Sequence, residues 1–424
     1  MTEQMNRKLR IGVFGGGRGT SMINVLLHHP HAELVAVCDS YTPLLDRARK
    51  NAEEAGIKIE CFEHFEDFIK YDMDAVVLAN YATEHATFAV KCLRAGKHVL
   101  SEVLPSETMA QAVELVETVE ETGLVYAYAE NYCYMDMTFE MWRKYRDGAI
   151  GDVTYAECEY IHDCSSWWIN LTRGEPSHWR NNLCPTFYCT HSLGPILSIT
   201  GHRPVQVVGF ENPPIEDFYR LGHAGGHASG IEMVTLDNGA IVKSIHGPLK
   251  LEPPHTDYKV YGTKGYLGTH RGPEGGLVRH YREHEGKMCE GDTQYYTPSK
   301  FVSADLAKAS GMTGHGGSDF YPTHFFIEKI LGGEDGKWSI DVYQAVDMGI
   351  CGILAFRSIL DGNRPYKIPN FRNKAERDAW RNDNACTNPA VAGDQVLPCS
   401  SYPVRTVSPE QAAANRKLWE DGQK

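Results

Sequence analysis

Short apolar runs alternate with stretches of helical spacing along the first 130 residues. Leu9 to Phe14 (LRIGVF) is one such run. A glycine-rich turn, Gly15-Gly16-Gly17-Arg18-Gly19, breaks it, and the SMINVLLHH that follows has the three-and-four spacing of a helix. Glu33 to Cys38 and Asp74 to Ala79 read as further strands with a helix-like segment between them. His85 to Ala95 reads as a helix stopped by Gly96, and Val99-Leu100 as the next strand. Ser106 is placed to cap a helix running to Gly123, with Met109, Val113, Val116 and Val119 on one apolar face. Val125 to Ala127 closes the unit. Alternating strands and helices predict a six-stranded, doubly wound parallel sheet of the Rossmann type over residues 1–130.

Beyond residue 150 the period shortens to two in DVTYAECEYI, PVQVVGF, IEMVTLDNGAIVKSIHG and DYKVYGT, with Asn238-Gly239 as a hairpin turn. This predicts an α+β domain over 131–375 built on a mainly antiparallel, open sheet. A helix from Asp341 to about Leu360 carries Val342, Val346, Ile353 and Leu360 on one face. Residues 376–424, rich in Asn, Pro, Ser and charge, read as an extended tail.

A chain of 424 residues exceeds what one core usually fills, which agrees with two domains. Its net charge of -13 gives no basic footprint, so nucleic acid and anionic membrane are excluded as expected partners and a small molecule is favoured. The first ten residues lack the apolar core of a signal peptide, and the expected location is the cytoplasm. The 12 cysteines show no paired CxxC spacing and read as reduced thiols. His284-Glu285 lacks the second histidine of HExxH, and Cys184 and Cys189 have no companion pair, so no metal site is expected.

The turn after the first strand can bring backbone N–H groups close to a pyrophosphate because glycine has no side chain in the way. Gly15 and Gly17 hold the first two fingerprint positions, Thr20 stands at the third, and Gly19 comes one place early. Asp39 ends the second strand, where a carboxylate accepts ribose hydroxyls, and no arginine follows closely to meet a 2′-phosphate. The expected cofactor is NAD rather than NADP. Asn80, Tyr81 and His85 follow one strand end and Glu102 sits at the next, at the carboxyl edge where this architecture binds ligands. His85 reads equally well as a residue of a helix start, and Glu102 as a solvated charge.

In the second domain Tyr160 and His162 lie two apart on EYIHD, on one face of a strand. Trp179-Arg180 and Tyr188-Cys189-Thr190-His191 come next. A phenol and an imidazole converging on one pocket can take a hydroxyl proton and a carbon-acid proton near neutral pH. Singly, each such residue reads as a core group that needs a hydrogen-bond partner.

IGVFGGGRGT, GKHVLSEV and the strand pattern resemble the Gfo/Idh/MocA oxidoreductases up to residue 375. SEV at 101–103, ENYCY at 130–134, EYIHD at 159–163, Trp179-Arg180, YCTHSLGP at 188–195, GTKG at 262–265, GHGGSDF at 314–320 and PNF at 369–371 most resemble one branch, the NAD-dependent glycosidases of glycoside hydrolase family 109. That branch writes Glu-Val-Pro where dehydrogenase relatives write Glu-Lys-Pro, and here Val103 follows Glu102 with Pro105 one place late. Two aspartates of those relatives are also replaced, by Phe187 and Gly194, and Cys189 stands where the branch has proline.

The resemblance implies cofactor contacts from Arg18, Gly19, Asp39, Ala82, Thr83, Glu84, His85, Glu102, Val103, Asn131 and Arg180. It implies a catalytic pocket of Tyr160, Tyr188 and His191, and the reading of EYIHD adds His162 to the candidate catalytic set. Glu130, His315 and Asp319 fall on the substrate side, with either His255 or Tyr258 in place of a substrate-contacting tyrosine. The implied reaction oxidises a bound glycoside at C3, eliminates the aglycone, adds water and reduces C3 again. A sugar or glycoside 3-dehydrogenase and a non-catalytic NAD- and sugar-binding sensor are the alternatives. A dimer or tetramer is expected.

Overall fold

The computed structural model describes residues 7–251, 255–272, 275–287, 289–299, 302–303, 306–311 and 314–422. The chain divides into two compact units. The first comprises Met1–Glu107, Gln111–Glu140 and Pro298–Val346; the second comprises Thr108–Ala110, Met141–Thr297 and Asp347–Lys424.

The first unit is built on six parallel strands in the order β3-β2-β1-β4-β5-β6. They are β1 (Leu9–Phe14), β2 (Ala32–Cys38), β3 (Glu60–Phe62), β4 (Ala75–Leu78), β5 (His98–Ser101) and β6 (Tyr126–Tyr128). The order reverses between β1 and β4, which creates the crevice where such sheets take ligands. Central strands of a parallel sheet are covered on both faces, so they are apolar runs rather than alternating ones. Ile11, Val13, Val77 and Leu100 accordingly lie in one buried cluster, joined by Phe326 and Ile327 from the helix Phe320–Leu331. Besides the strands and helices of the first 130 residues, this unit takes up residues 131–140 and the distant segment 298–346. The helix expected from Ser106 begins at Met109.

The second unit carries a nine-stranded sheet in the order β14-β13-β12-β11-β7-β10-β9-β8-β15. Its strands are β7 (Val153–Ile161), β8 (Pro204–Glu211), β9 (Gly230–Leu236), β10 (Ile241–Gly247), β11 (His255–Gly262), β12 (Gly265–Gly272), β13 (Gly275–Glu283), β14 (Gly291–Tyr296) and β15 (Tyr366–Lys367). All neighbours are antiparallel except β7 and β10, which run parallel. Asn238-Gly239 turns the β9–β10 hairpin, with Gly239 at φ +88°. The helix Cys189–Thr200, buried along its whole length, covers one face. It is tied to the sheet where Tyr258 Oη donates to the His191 carbonyl at 2.7 Å and where the Ser192 and Ser244 hydroxyls meet at 2.8 Å.

Residues 376–422 are not an extended tail. Pro389–Ala392 and Pro409–Asp421 are helices; Ser408 caps the second, and Asn415 bonds the Arg220 carbonyl. The stretch Glu334–Leu360 is long and apolar enough to cross a membrane by length and composition, but it is mostly buried, as a core helix is.

Candidate active site

The first βα turn is shaped by contacts that only glycine permits. Gly15 has φ +101°, and a Cβ there would lie 2.3 Å from the Ala79 carbonyl oxygen. A Cβ on Gly19 would lie 2.2 Å from the Gly15 oxygen. Gly17 meets nothing closer than Leu44 at 3.8 Å, so the turn leaves open space on that side for a phosphate to approach the backbone. Thr20 has another task than glycine would: its hydroxyl donates to the Gly16 carbonyl at 2.8 Å and accepts from Arg47 at 2.6 Å. Asp39 accepts the Gly16 N–H at 2.7 Å on Oδ2 and the Tyr41 N–H at 2.8 Å on Oδ1. A carboxylate has about four acceptor positions, so both oxygens can still take ribose hydroxyls. Open turn and terminal carboxylate together fit a dinucleotide.

At the end of β4, Asn80 Nδ2 donates to Glu84 at 3.1 Å across the single turn Ala82–Glu84, which includes Thr83, while Tyr81 is exposed. His85 opens the next helix and is buried; burial lowers its pKa to about 4, so the ring is neutral. Its Nδ1 lies 3.2 Å from the Leu104 carbonyl and must carry the proton, which leaves Nε2 buried with no partner among the described residues. His85 thus both starts a helix and offers an acceptor. The Val103–Leu104 peptide bond is cis.

Glu102 is buried and lies 2.7 Å from Arg18 Nη2, without an aligned hydrogen bond. Arg18 instead donates twice to Asp319, Nη1 to Oδ2 at 3.0 Å and Nη2 to Oδ1 at 2.7 Å. Burial raises the Glu102 pKa and Asp319 adds to it, against the opposing pull of Arg18. Burial would raise Asp319 too, but hydrogen bonds from His315 and Arg18 hold it well below the ordinary carboxylate range. Of two acids beside one guanidinium, Asp319 keeps its charge to lower pH than an ordinary carboxylate, and Glu102 takes up a proton at higher pH than an ordinary glutamate. The folded protein therefore holds a proton on Glu102 at pH values where the unfolded chain has lost it. This contribution to stability is present at low pH and falls as pH rises from the ordinary glutamate value through the raised one. Subtracting the stability–pH curve of Glu102→Gln from that of the wild type should isolate this fall, and a flat difference would refute it. Glu130 is fully buried and its Oε1 accepts the Tyr132 N–H at 3.3 Å, capping the turn Asn131–Tyr134.

In the second unit, strand register brings the aromatic and imidazole groups together. Tyr160 Oη lies 2.8 Å from His162 Nδ1, and its ring centroid is 4.8 Å from that of His191. The Tyr188 ring stacks on His191 at 5.3 Å with 4° between planes, and Tyr188 Oη accepts from Arg180 Nη1 at 2.9 Å. Arg180 also lies over Trp179, 4.4 Å from its ring. Trp179, Phe187 and Tyr188 pack on the small buried cluster Trp168, Leu183 and Phe218, which fixes this segment. Tyr160, His162, Tyr188 and His191 are one group.

His255 is not brought into it. Its neighbour Thr256 pairs with Tyr160, so alternation sends His255 to the opposite face, beside Asp257 and Glu159. Those three place ligand atoms within 4.8 Å of one another, but the Asp257 oxygens are taken by Lys259 at 2.9 Å and Thr269 at 2.6 Å. Tyr258 faces the right side but is fully buried and spent on the His191 carbonyl. Glu252 to Pro254, just upstream, lie outside the described residues.

Two groups near this cluster went unread. Glu232 and His246 are buried and paired at 2.7 Å, with His246 beside Tyr160 in the β10–β7 register. The signal was present in IEMVTLDNGAIVKSIHG, where both sit in phase with inward-facing apolar residues.

The Gfo/Idh/MocA oxidoreductase family, NAD-binding Rossmann fold, matches residues 9–130, and the glycosyl hydrolase 109 C-terminal domain matches residues 231–380. A glycosyl hydrolase family 109 protein of Solibacter usitatus is 26% identical over 401 residues, covering 86% of this chain and 89% of its own. One of Shewanella baltica is 25% identical over 404 residues, with 88% and 86% covered. Scyllo-inositol dehydrogenase of Lactobacillus casei shares the fold with a TM-score of 0.63 at 18% identity, over 85% of this chain and 99% of that one. The chain is therefore a Gfo/Idh/MocA NAD-binding fold joined to a glycosyl hydrolase 109 C-terminal domain, with NAD as its cofactor.

Proposed function

We propose that the protein hydrolyses glycosides by transient oxidation at C3, with Gly15–Thr20, Asp39, Asn80–His85, Glu102, Val103 and Asn131 on the cofactor side. NAD, when bound, supplies a reversible acceptor for the hydride of the C3 carbinol. His191 takes the C3 hydroxyl proton, and the ketone so formed makes the neighbouring C2–H acidic. Tyr160 removes that proton while its own passes to His162 Nδ1, and the aglycone leaves C1 with the bonding electrons and takes its proton from solvent. Water adds to C1 of the enone, C2 is reprotonated through Tyr160, and His191 returns its proton to the oxygen at C3 as the hydride comes back. Arg180 holds the Tyr188 hydroxyl, and Tyr188 keeps the His191 ring in plane.

The observation that carries this reading is the 2.8 Å contact of Tyr160 with His162 beside the His191 ring, a set with two proton acceptors rather than one. The names of the relatives support the glycoside, and Val103 in place of the dehydrogenase lysine supports net hydrolysis. Cleavage of a nitrophenyl glycoside panel with added NAD in deuterated water tests it. Deuterium is expected at C2 of the released sugar, whereas direct displacement by paired carboxylates leaves C2 untouched. Reduced cofactor released in step with substrate consumed would make the protein a dehydrogenase instead.

A further inference from the structure

Asp319 was expected on the substrate side, and its surroundings point elsewhere. It is fully buried. Oδ1 accepts from Arg18 Nη2 at 2.7 Å and Asn131 Nδ2 at 3.0 Å; Oδ2 accepts from Arg18 Nη1 at 3.0 Å and meets His315 Nδ1 at 2.9 Å. A carboxylate offers about four acceptor positions, and four nitrogens fill them, so none is left for a sugar hydroxyl. Three separate stretches of the first unit meet on this one group: the glycine turn through Arg18, the segment after β6 through Asn131, and the loop 314–319 through His315. Arg18 also brings the end of β5 close, through Glu102 at 2.7 Å. The loop itself lies against the helix that follows the turn, since a Cβ on Gly314 would be 3.5 Å from Ser21 Oγ.

Bidentate pairing fixes a guanidinium in direction as well as in place. Arg18 stands between Gly17 and Gly19, so fixing its side chain also restrains the backbone that must present N–H groups to a pyrophosphate. We propose that Asp319 is a positioning residue for the cofactor, acting through Arg18 to hold the glycine turn in its NAD-accepting shape. This rests on the reading of that turn as the NAD site. His315, on the rim of the same cluster, is the most exposed of its anchors.

The test is a double-mutant cycle read by NAD affinity, titrated on the full-length apoprotein by calorimetry. Wild type that binds no NAD would overturn the reading of the turn itself, separately from this proposal. Given wild-type binding, Asp319→Asn should weaken NAD by roughly tenfold or more, the loss expected for a charge-assisted pair. In an Arg18→Gln background the same change should cost almost nothing further, because partners acting as a unit are not additive. The KM for glycoside, at saturating NAD, should stay within about twofold of wild type by the same argument. Equal losses in both backgrounds, or a raised KM with unchanged NAD affinity, would overturn the proposal. If Asp319→Asn does not fold, His315→Gln, which removes one bond of the four, should still weaken NAD about two- to threefold; unchanged affinity there counts against the proposal.

Discussion

Tyr160→Phe is expected to cut glycoside cleavage by about 10²–10⁴-fold, the range for loss of a positioned general base, while reduction of bound NAD by the same glycoside persists. In the proposed mechanism the two steps separate because different groups serve them: the phenol takes the C2 proton and the imidazole the C3 hydroxyl proton. His191→Ala should therefore stop both, and cofactor absorbance on mixing should remain flat. Phe keeps the ring that packs 4.8 Å from His191, so the variant tests the hydroxyl rather than the packing. Equal loss of cleavage and cofactor reduction in Tyr160→Phe would mean that Tyr160 acts before the elimination, and the proposed division of labour would fail.

The second large effect belongs to the glycine turn. Gly15→Ala places a methyl group 2.3 Å from the Ala79 carbonyl, at a backbone φ of +101° that side chains rarely adopt. Strain of this kind costs about 1–3 kcal/mol before the clash is counted. The end of β1 and the start of β4's loop must then part. The expected outcome is a marked fall in Tm together with loss of the stabilisation that NAD gives the wild type through binding the native state. Gly17→Ala is the control: its Cβ has only Leu44 nearby at 3.8 Å, so folding should be little changed while pyrophosphate approach is impaired. A Gly15→Ala protein with wild-type Tm and NAD response would contradict the turn described here.

Much of this was readable from the chain because burial writes a simple pattern. LRIGVF and AVVL are covered on both faces, so their apolar runs survive any choice of period. Strand β3 escaped notice because ECF is three residues long and half exposed, with no pattern to show. Strands β12 to β14 escaped because GYLGTHRG and GDTQYY are glycine-rich or polar. That Tyr160, His162, Tyr188 and His191 would lie together was visible because the first two are two apart on one strand and the last two close together at one helix start. The pairing of Arg18 with Asp319 had no local signature, since no periodicity links positions so far apart. His255 was misplaced for the reverse reason: proximity in sequence to Tyr258 said nothing about which face of the sheet each would take.

The first unit closes on itself only when residues 298–346 arrive, and this sets a schedule for the nascent protein. Its six strands are complete by Tyr128, yet Phe326 and Ile327, which join their core, and Asp319, which fastens the glycine turn, are still unsynthesised. At roughly 5–20 residues per second, translation reaches Val346 some 10–40 s later. Through that interval the part of the core that Phe326 and Ile327 complete stands uncovered, although residues of the helices Thr20–Leu26 and Thr42–Glu54 already pack on the rest, while β7 to β14 emerge behind it. A truncated gene ending near residue 130 would freeze the protein in that state, and a chaperone that shields bare apolar surface would find its client there.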